Sequence, residues 1–317
     1  MSREREPNVR VRRLEEGDLN EADRIMRMAV GTELGLAQPM AYFGDSDSVR
    51  TRFQTDPRTA LAVEVDGRFA GSSFVTRRGS LGLVGPLTVD ANLWDRGVAR
   101  ALLGPTLDLL QGPGITHRGL FAGAHSPKHL ALYQSCGLWP RFLTTIMEKA
   151  ATDAGGGAYE TLSSLADADE AVEAARELTG ALYRGLDLGR EIEAVRRQGL
   201  GETLLVYDGD RLAALAVCHR GGGTEAGGGR LHIKFGAARP GTAAAQRFSR
   251  LLAACESHAL AHGCPTVVAA VSTGRRGAYR QLLERGYTIR SVGVTLHAPD
   301  LDPYPDAFVM DDWRRGA

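Results

Sequence analysis

Apolar positions along the chain change period in a regular order. Residues 8–14, "NVRVRRL", alternate as a strand does. Residues 19–30, "LNEADRIMRMAV", place apolar side chains at helical spacing, and "DSVRTRF" (47–53) predicts a second short helix. "ALAVEVDGRFAGSSFV" (60–75) is two alternating runs joined at Asp66-Gly67, a strong hairpin signal. A third strand, "GLVGPLTV" (82–89), leads into a helix. "GLFAGA" then predicts a strand, "SPKHLALYQSC" a helix and "WPRFLTTIMEK" a strand.

The order then recurs. Residues 151–160, "ATDAGGGAYE", are small, glycine-rich and aperiodic, and predict a linker. Beyond it come a helix (168–183), a hairpin expected to turn at Asp208-Gly209, a strand (230–238), a long helix (242–263), a strand, a helix and a last strand (288–296). Leu102-Leu103 falls on Leu251-Leu252, Gly137 on Gly286 and Arg141 on Arg290, all at a shift of 149, as a duplicated fold requires. The expected organisation is an α/β (α+β) chain of two related units, 1–150 and 159–317, joined by 151–158. "GGGTEAGGGR" (221–230) lies between two strands, with no helix start behind it, and predicts a flexible hairpin loop.

Composition narrows the function classes. The 317 residues carry 38 Lys+Arg against 38 Asp+Glu, so no charge excess points to nucleic acid or an anionic membrane as partner. No apolar run is long enough to span a bilayer, and the charged start "MSREREPNVRVRR" lacks the core of a signal peptide. Four cysteines without a disulfide framework suit a cytoplasmic protein. Cys255, His258, His262 and Cys264 lie close together, but their helix is expected to turn that face to a core, so no metal site is assigned.

The stretch "DANLWDRGVARALL" (90–103) carries the clearest chemistry. The first turn of a helix exposes unpaired N–H groups and the positive end of its dipole. Gly97 and Ala99 keep the approach to that backbone clear, and Arg96 and Arg100 add charge beside it. A strand entering and a helix leaving such a loop form a seat for pyrophosphate. Gly104-Pro105 is expected to kink the helix.

This stretch resembles motif A of the GNAT superfamily of acyl-CoA N-acyltransferases: Leu87-Thr88-Val89-Asp90-Ala91 and then Trp94-Asp95-Arg96-Gly97-Val98-Ala99, with Ala91 in place of the usual proline and Trp94 in place of Gln/Arg. "SPKHLALYQSCGL" resembles the family's later motif. Ser126 stands where Asn is usual and Leu138 where Phe is usual, with Tyr133 and Gly137 in the tyrosine and glycine positions. The resemblance implies tandem GNAT-type units with splayed central strands and acetyl-CoA as cosubstrate. It places pantetheine along Leu87, Thr88 and Val89, pyrophosphate on residues 94–100, and the Tyr133 hydroxyl at the leaving sulfur. Many relatives use a glutamate as base where this chain has Phe121. His125, Glu33 and a water chain remain the alternatives.

At the same shift, Gly97 becomes Gln246, Ala99 becomes Phe248 and Tyr133 becomes Leu282. The second unit is therefore expected to be degenerate, with Phe248 blocking its helix mouth and Leu282 unable to donate a proton. The expected activity is N-acetylation of a small-molecule amine. The alternatives are a non-catalytic acyl-CoA sensor or scaffold and acetyl transfer to a protein amine. The sequence sets no oligomeric state.

Overall fold

A computed structural model describes residues 8–112, 114–152 and 158–313. The first half runs β1 (Val9–Arg13), α1 (Leu19–Glu33), α2 (Ser48–Thr55), β2 (Ala60–Val65), β3 (Arg68–Arg78), β4 (Leu81–Val89), α3 (Val98–Asp108), β5 (His117–Gly123), α4 (Pro127–Gln134) and β6 (Trp139–Ala150). The second runs β7 (Glu160–Thr161), α5 (Ala168–Leu182), α6 (Gly189–Gln198), β8 (Gly201–Asp208), β9 (Arg211–Gly221), β10 (Gly227–Ala238), α7 (Ala244–Ala261), β11 (Thr266–Ser272), α8 (Arg276–Glu284), β12 (Thr288–Ala298) and β13 (Val309–Asp311). Most of the expected linker lies outside the described residues.

The two halves share one sheet, in the order β1-β2-β3-β4-β5-β12-β6-β11-β10-β9-β8-β7, with β13 added against β10. Each half lends its last strand to the other. β12 lies antiparallel between β5 and β6, and β6 lies antiparallel to β11. The cores follow that exchange. Val294 and Leu296 of β12 pack with Leu102, Leu120 and Tyr133, and Met147 of β6 packs with Leu251, Leu252 and Val267. A third cluster joins the halves directly, with Leu81 and Leu83 against Leu215, Phe235 and Trp313.

Local signals explain most elements. Asp66 and Gly67 both take positive φ, as a two-residue turn of this hand requires. In the second hairpin the turn residues are Gly209-Asp210 rather than Asp208-Gly209. Asp208 ends β8, where its carboxylate binds Arg247 and Arg250. α6 was not expected. Its signal is short, with Ile192 and Val195 buried one turn apart and a left-handed Gly199 closing the helix. α3 continues through Pro105 to Asp108.

Loop 221–230 is docked on the first half, contrary to the flexible hairpin expected of it. The Asp47 N–H donates to the Thr224 carbonyl at 2.9 Å, Gly223 N–H to the Asp45 carbonyl at 2.8 Å, and Gly228 N–H to the Asp45 carboxylate at 2.8 Å. A Cβ on Gly222 would stand 2.4 Å from Asp45 Oδ2, so the glycines permit close approach rather than motion.

Candidate functional site

β4 pairs in parallel with β5 only from Leu81 to Leu83. Its register against β3 shifts between Val84 and Leu87, a bulge centred on Gly85-Pro86, and beyond it β4 and β5 separate. Residues 87–89 thus keep one free strand edge. They line a cleft of about 370 Å³ that continues past Trp94 to Gly97 and Arg100 and is walled by Val30, Glu33, His129 and Tyr133. The structure brings Leu87, Thr88, Val89, Trp94, Asp95, Gly97, Val98, Ala99, Arg100, Tyr133 and Glu33 to this one cleft. Arg96 is exposed beside it, and Ser126 is buried at the start of α4.

The helix mouth is built to accept an anion. Gly97 caps α3 with φ +78°, a conformation costly for residues with a Cβ, and nothing lies within 4 Å of where a Cβ would be. No side chain caps the helix, and its first turn contains no acid, so its leading N–H groups are left for a ligand. Arg96 and Arg100 form no ion pair among the described residues, which leaves their charge available. Trp94, in a position usually held by Gln/Arg, donates from Nε1 to the Val89 carbonyl at 3.0 Å and so ties the loop to the strand edge. Lys128, not singled out from the sequence, lies 5.0 Å above the Trp94 ring, with its ammonium paired to Asp95 of the same cleft at 3.2 Å.

Tyr133 points its ring into the core beneath the cleft and is 2% exposed. Burial, with the nearby Glu33 charge and Cys136, raises its pKa well above the usual phenol value and keeps it protonated. One turn earlier on α4, His129 meets Glu33 of α1, Nδ1 to Oε1 at 3.2 Å. Burial lowers the His129 pKa. Glu33 opposes that shift, while Lys128 and His125 reinforce it. His129 was missed because its partner lies 96 positions away in sequence, on another helix. His125 faces a different space, described next.

A second cavity, of about 440 Å³, adjoins the first. Val30 and Glu33 line both. Its floor crosses the exchanged strands, through Phe121 on β5, Ile146 on β6 and Val268 on β11. Phe121 is part of this apolar floor, its ring lying over Gly293. His125 stands at one end and Arg230 of β10 lines the second half's side.

The second half repeats the framework and closes it. β10 pairs in parallel with β11 from Arg230 to Ile233, then bulges at Lys234, 149 residues after Gly85. The edge exposed beyond the bulge does not stay free. β13 pairs antiparallel to it, Phe235 with Asp311, Gly236 with Met310 and Ala237 with Val309. The expected reason for closure is thereby corrected. α7 starts one turn early, capped by Ala243, so Gln246 and Phe248 lie inside the helix rather than at its mouth. Phe248 is fully buried against Phe308, their ring centroids 5.6 Å apart. A hollow of about 390 Å³ remains beside Gly241 and Ala244, but Asp306 lines it, and Arg247 is held by Asp208. Leu282 is buried in the core.

Among the described residues no group of three or more His, Cys, Asp or Glu could hold a metal. Cys255 and His258 are buried in the helix core, and His262 Nδ1 lies 2.9 Å from the His258 carbonyl. No helix among them is long and apolar enough to cross a membrane.

No protein-family model and no curated protein matches this sequence. Solved structures do match. A candidate acetyltransferase from Pyrococcus horikoshii superposes with a TM-score of 0.69 at 13% identity, over 97% of this chain and 95% of its own. A GCN5-related N-acetyltransferase from Sphaerobacter thermophilus gives 0.61 at 16%, over 91% and 95%. A tandem GNAT protein from the clavulanic acid biosynthesis pathway gives 0.58 at 15%, over 92% and 98%. The chain carries the tandem GNAT fold.

Proposed function

We propose that the protein is an acetyl-CoA-dependent N-acetyltransferase that acts on a small-molecule amine through its first half. One observation carries this reading: a cleft with a free strand edge and an anion-accepting helix mouth meets a second cavity at Glu33 and Val30. Bound acetyl-CoA supplies an acyl thioester whose C–S bond is exchanged for a C–N bond, and the proton that the attacking amine loses ends on the CoA thiol. The Leu87 and Val89 edge orients the pantetheine arm. Residues 94–100 hold the pyrophosphate on backbone N–H groups, assisted by Arg96, Arg100 and Lys128.

The chain's own residues then manage two protons. The incoming amine must lose one, and Glu33 faces both cavities with His129 Nδ1 3.2 Å from its carboxylate. Its carboxylate accepts the proton, and neutral His129 spreads the change. Tyr133, held protonated, donates a hydrogen bond to the departing sulfur, which takes the proton passed on from Glu33. The test is calorimetric titration with acetyl-CoA, followed by CoA thiol release across an amine panel. Binding at one site per chain with amine-dependent release is expected. Binding without release for any amine would make the protein an acyl-CoA sensor, and no binding would remove the proposal altogether.

A further inference from the structure

We infer that the acceptor is an extended amine with an apolar spacer and a distal carboxylate, read by Arg230 of the second half. This rests on the reading of the second cavity as the acceptor site. Two charged groups of that cavity lack a charged partner among the described residues, Glu33, whose neighbour His129 is neutral, and Arg230. Glu33 engages His129 at 3.2 Å, and Glu148 engages Arg290 at 3.1 Å. The Arg230 side chain, exposed and lining the same cavity, has no ion pair or hydrogen bond among the described residues. A guanidinium left open on a ligand cavity selects a carboxylate, which it can bind through two parallel N–H groups.

Position sets the length. The reacting end lies by Glu33, above the β4–β5 gap. Arg230 is the first residue of β10 to pair with β11, and β10 follows β12, β6 and β11 across the sheet from β5. Four strand spacings of about 4.8 Å separate β5 from β10, a backbone span of roughly 19 Å, of which the extended Arg230 side chain and its hydrogen bond cover about half. An α-amino acid cannot reach from one end to the other. The sheet floor between is apolar, with Phe121, Ile146, Val268 and Val292, while Ser46, Glu148 and Ser291 stand among the other lining residues. A hydrocarbon spacer fits that floor. The second half, without an open cofactor edge of its own, would thus supply acceptor specificity to the first.

The probes are 8-aminooctanoate with octylamine, and 4-aminobutyrate with butylamine, titrated calorimetrically into wild type and Arg230→Gln. The expected result is that wild type binds 8-aminooctanoate about tenfold more tightly than octylamine, as one charge-assisted contact provides. The short pair should show no such preference, and Arg230→Gln should erase the long pair's. Equal affinities in wild type, an equal preference in the short pair, or a preference that survives Arg230→Gln would each overturn the inference. CoA thiol release is read in parallel. Arg230-dependent binding without release would refute acetyl transfer and leave the ligand class standing. Release that ignores Arg230 would do the reverse.

Discussion

The two halves contain the same cleft, one open and one filled. In each, the third long strand bulges at the same register position, at Gly85 and at Lys234, and leaves its parallel neighbour. In the first half the freed edge borders a cavity ending at an uncapped helix with unpaired arginines. In the second the chain's own C-terminal segment pairs with that edge. The segment is held from both sides. Asp311 pairs with buried Arg78 of the first half, Asp312 with His232, and Trp313 rests on Gly119 of β5. Splaying two strands leaves N–H and C=O groups that need partners. A cosubstrate and a strand of the chain itself are two ways to supply them, and only the first leaves room for turnover.

The proton-handling residues of the open cleft should show the largest effects. Tyr133→Phe keeps the ring and its packing, so acetyl-CoA affinity should hold while single-turnover rate falls about 10²–10⁴-fold. Glu33→Gln should fall by a similar factor. A folded Tyr133→Phe protein at wild-type rate would make that tyrosine structural. The closed cleft should instead respond in stability. Asp311→Ala leaves the Arg78 charge, 1% exposed, with Glu191 alone, and should cost about 3–5 kcal/mol in denaturant unfolding. A cost below about 1 kcal/mol would show that the strap is not clamped by this pair.

Matched helix-mouth substitutions sharpen the contrast. Gly97→Asp should weaken acetyl-CoA at least about tenfold by calorimetry, through added negative charge. Gly97→Asn, which tolerates the left-handed backbone, should retain most of the affinity. Ala243→Asp, at the mouth of α7, should leave acetyl-CoA binding unchanged and stabilise the protein by about 1 kcal/mol as a helix cap. A second acetyl-CoA per chain, lost in Ala243→Asp, would mean that the second cleft is open after all.

A last effect is in acid. His117 and His297 are buried side by side, Nε2 to Nδ1 at 2.9 Å, joining β5 of one half to β12 of the other. Burial pushes their pKa values down to about 4 and about 3. A histidine depressed in the folded state contributes stability that is full above its unfolded pKa of 6.5 and is lost as pH falls toward the folded value. The melting temperature should therefore drop by several degrees between pH 6.5 and 4. His117→Asn should flatten part of that slope, and an unchanged slope would rule the pair out as its cause.

Elements with a clear period, or with turn chemistry of their own, were legible in the sequence. The alternation of residues 60–75 about Asp66-Gly67 determines a hairpin, and Gly97 behind a strand determines a helix mouth with free N–H groups. The shift of 149 located the repeat, because equivalent strands and helices bury equivalent faces. What the tertiary structure alone decided depends on partners far apart in the chain. The exchange of β6 and β12 changes no local pattern, since each strand is apolar on the same face whichever half it joins. β13 has three residues, too few for a period, and exists only because β10 offers an edge. The glycines of 221–230 are equally suited to a loose loop and to close packing, and Asp45 settles which. Glu33–His129 and the open charge of Arg230 are relations between residues rather than properties of any one of them. Periodicity records how a segment meets a surface, and it does not record which surface that is.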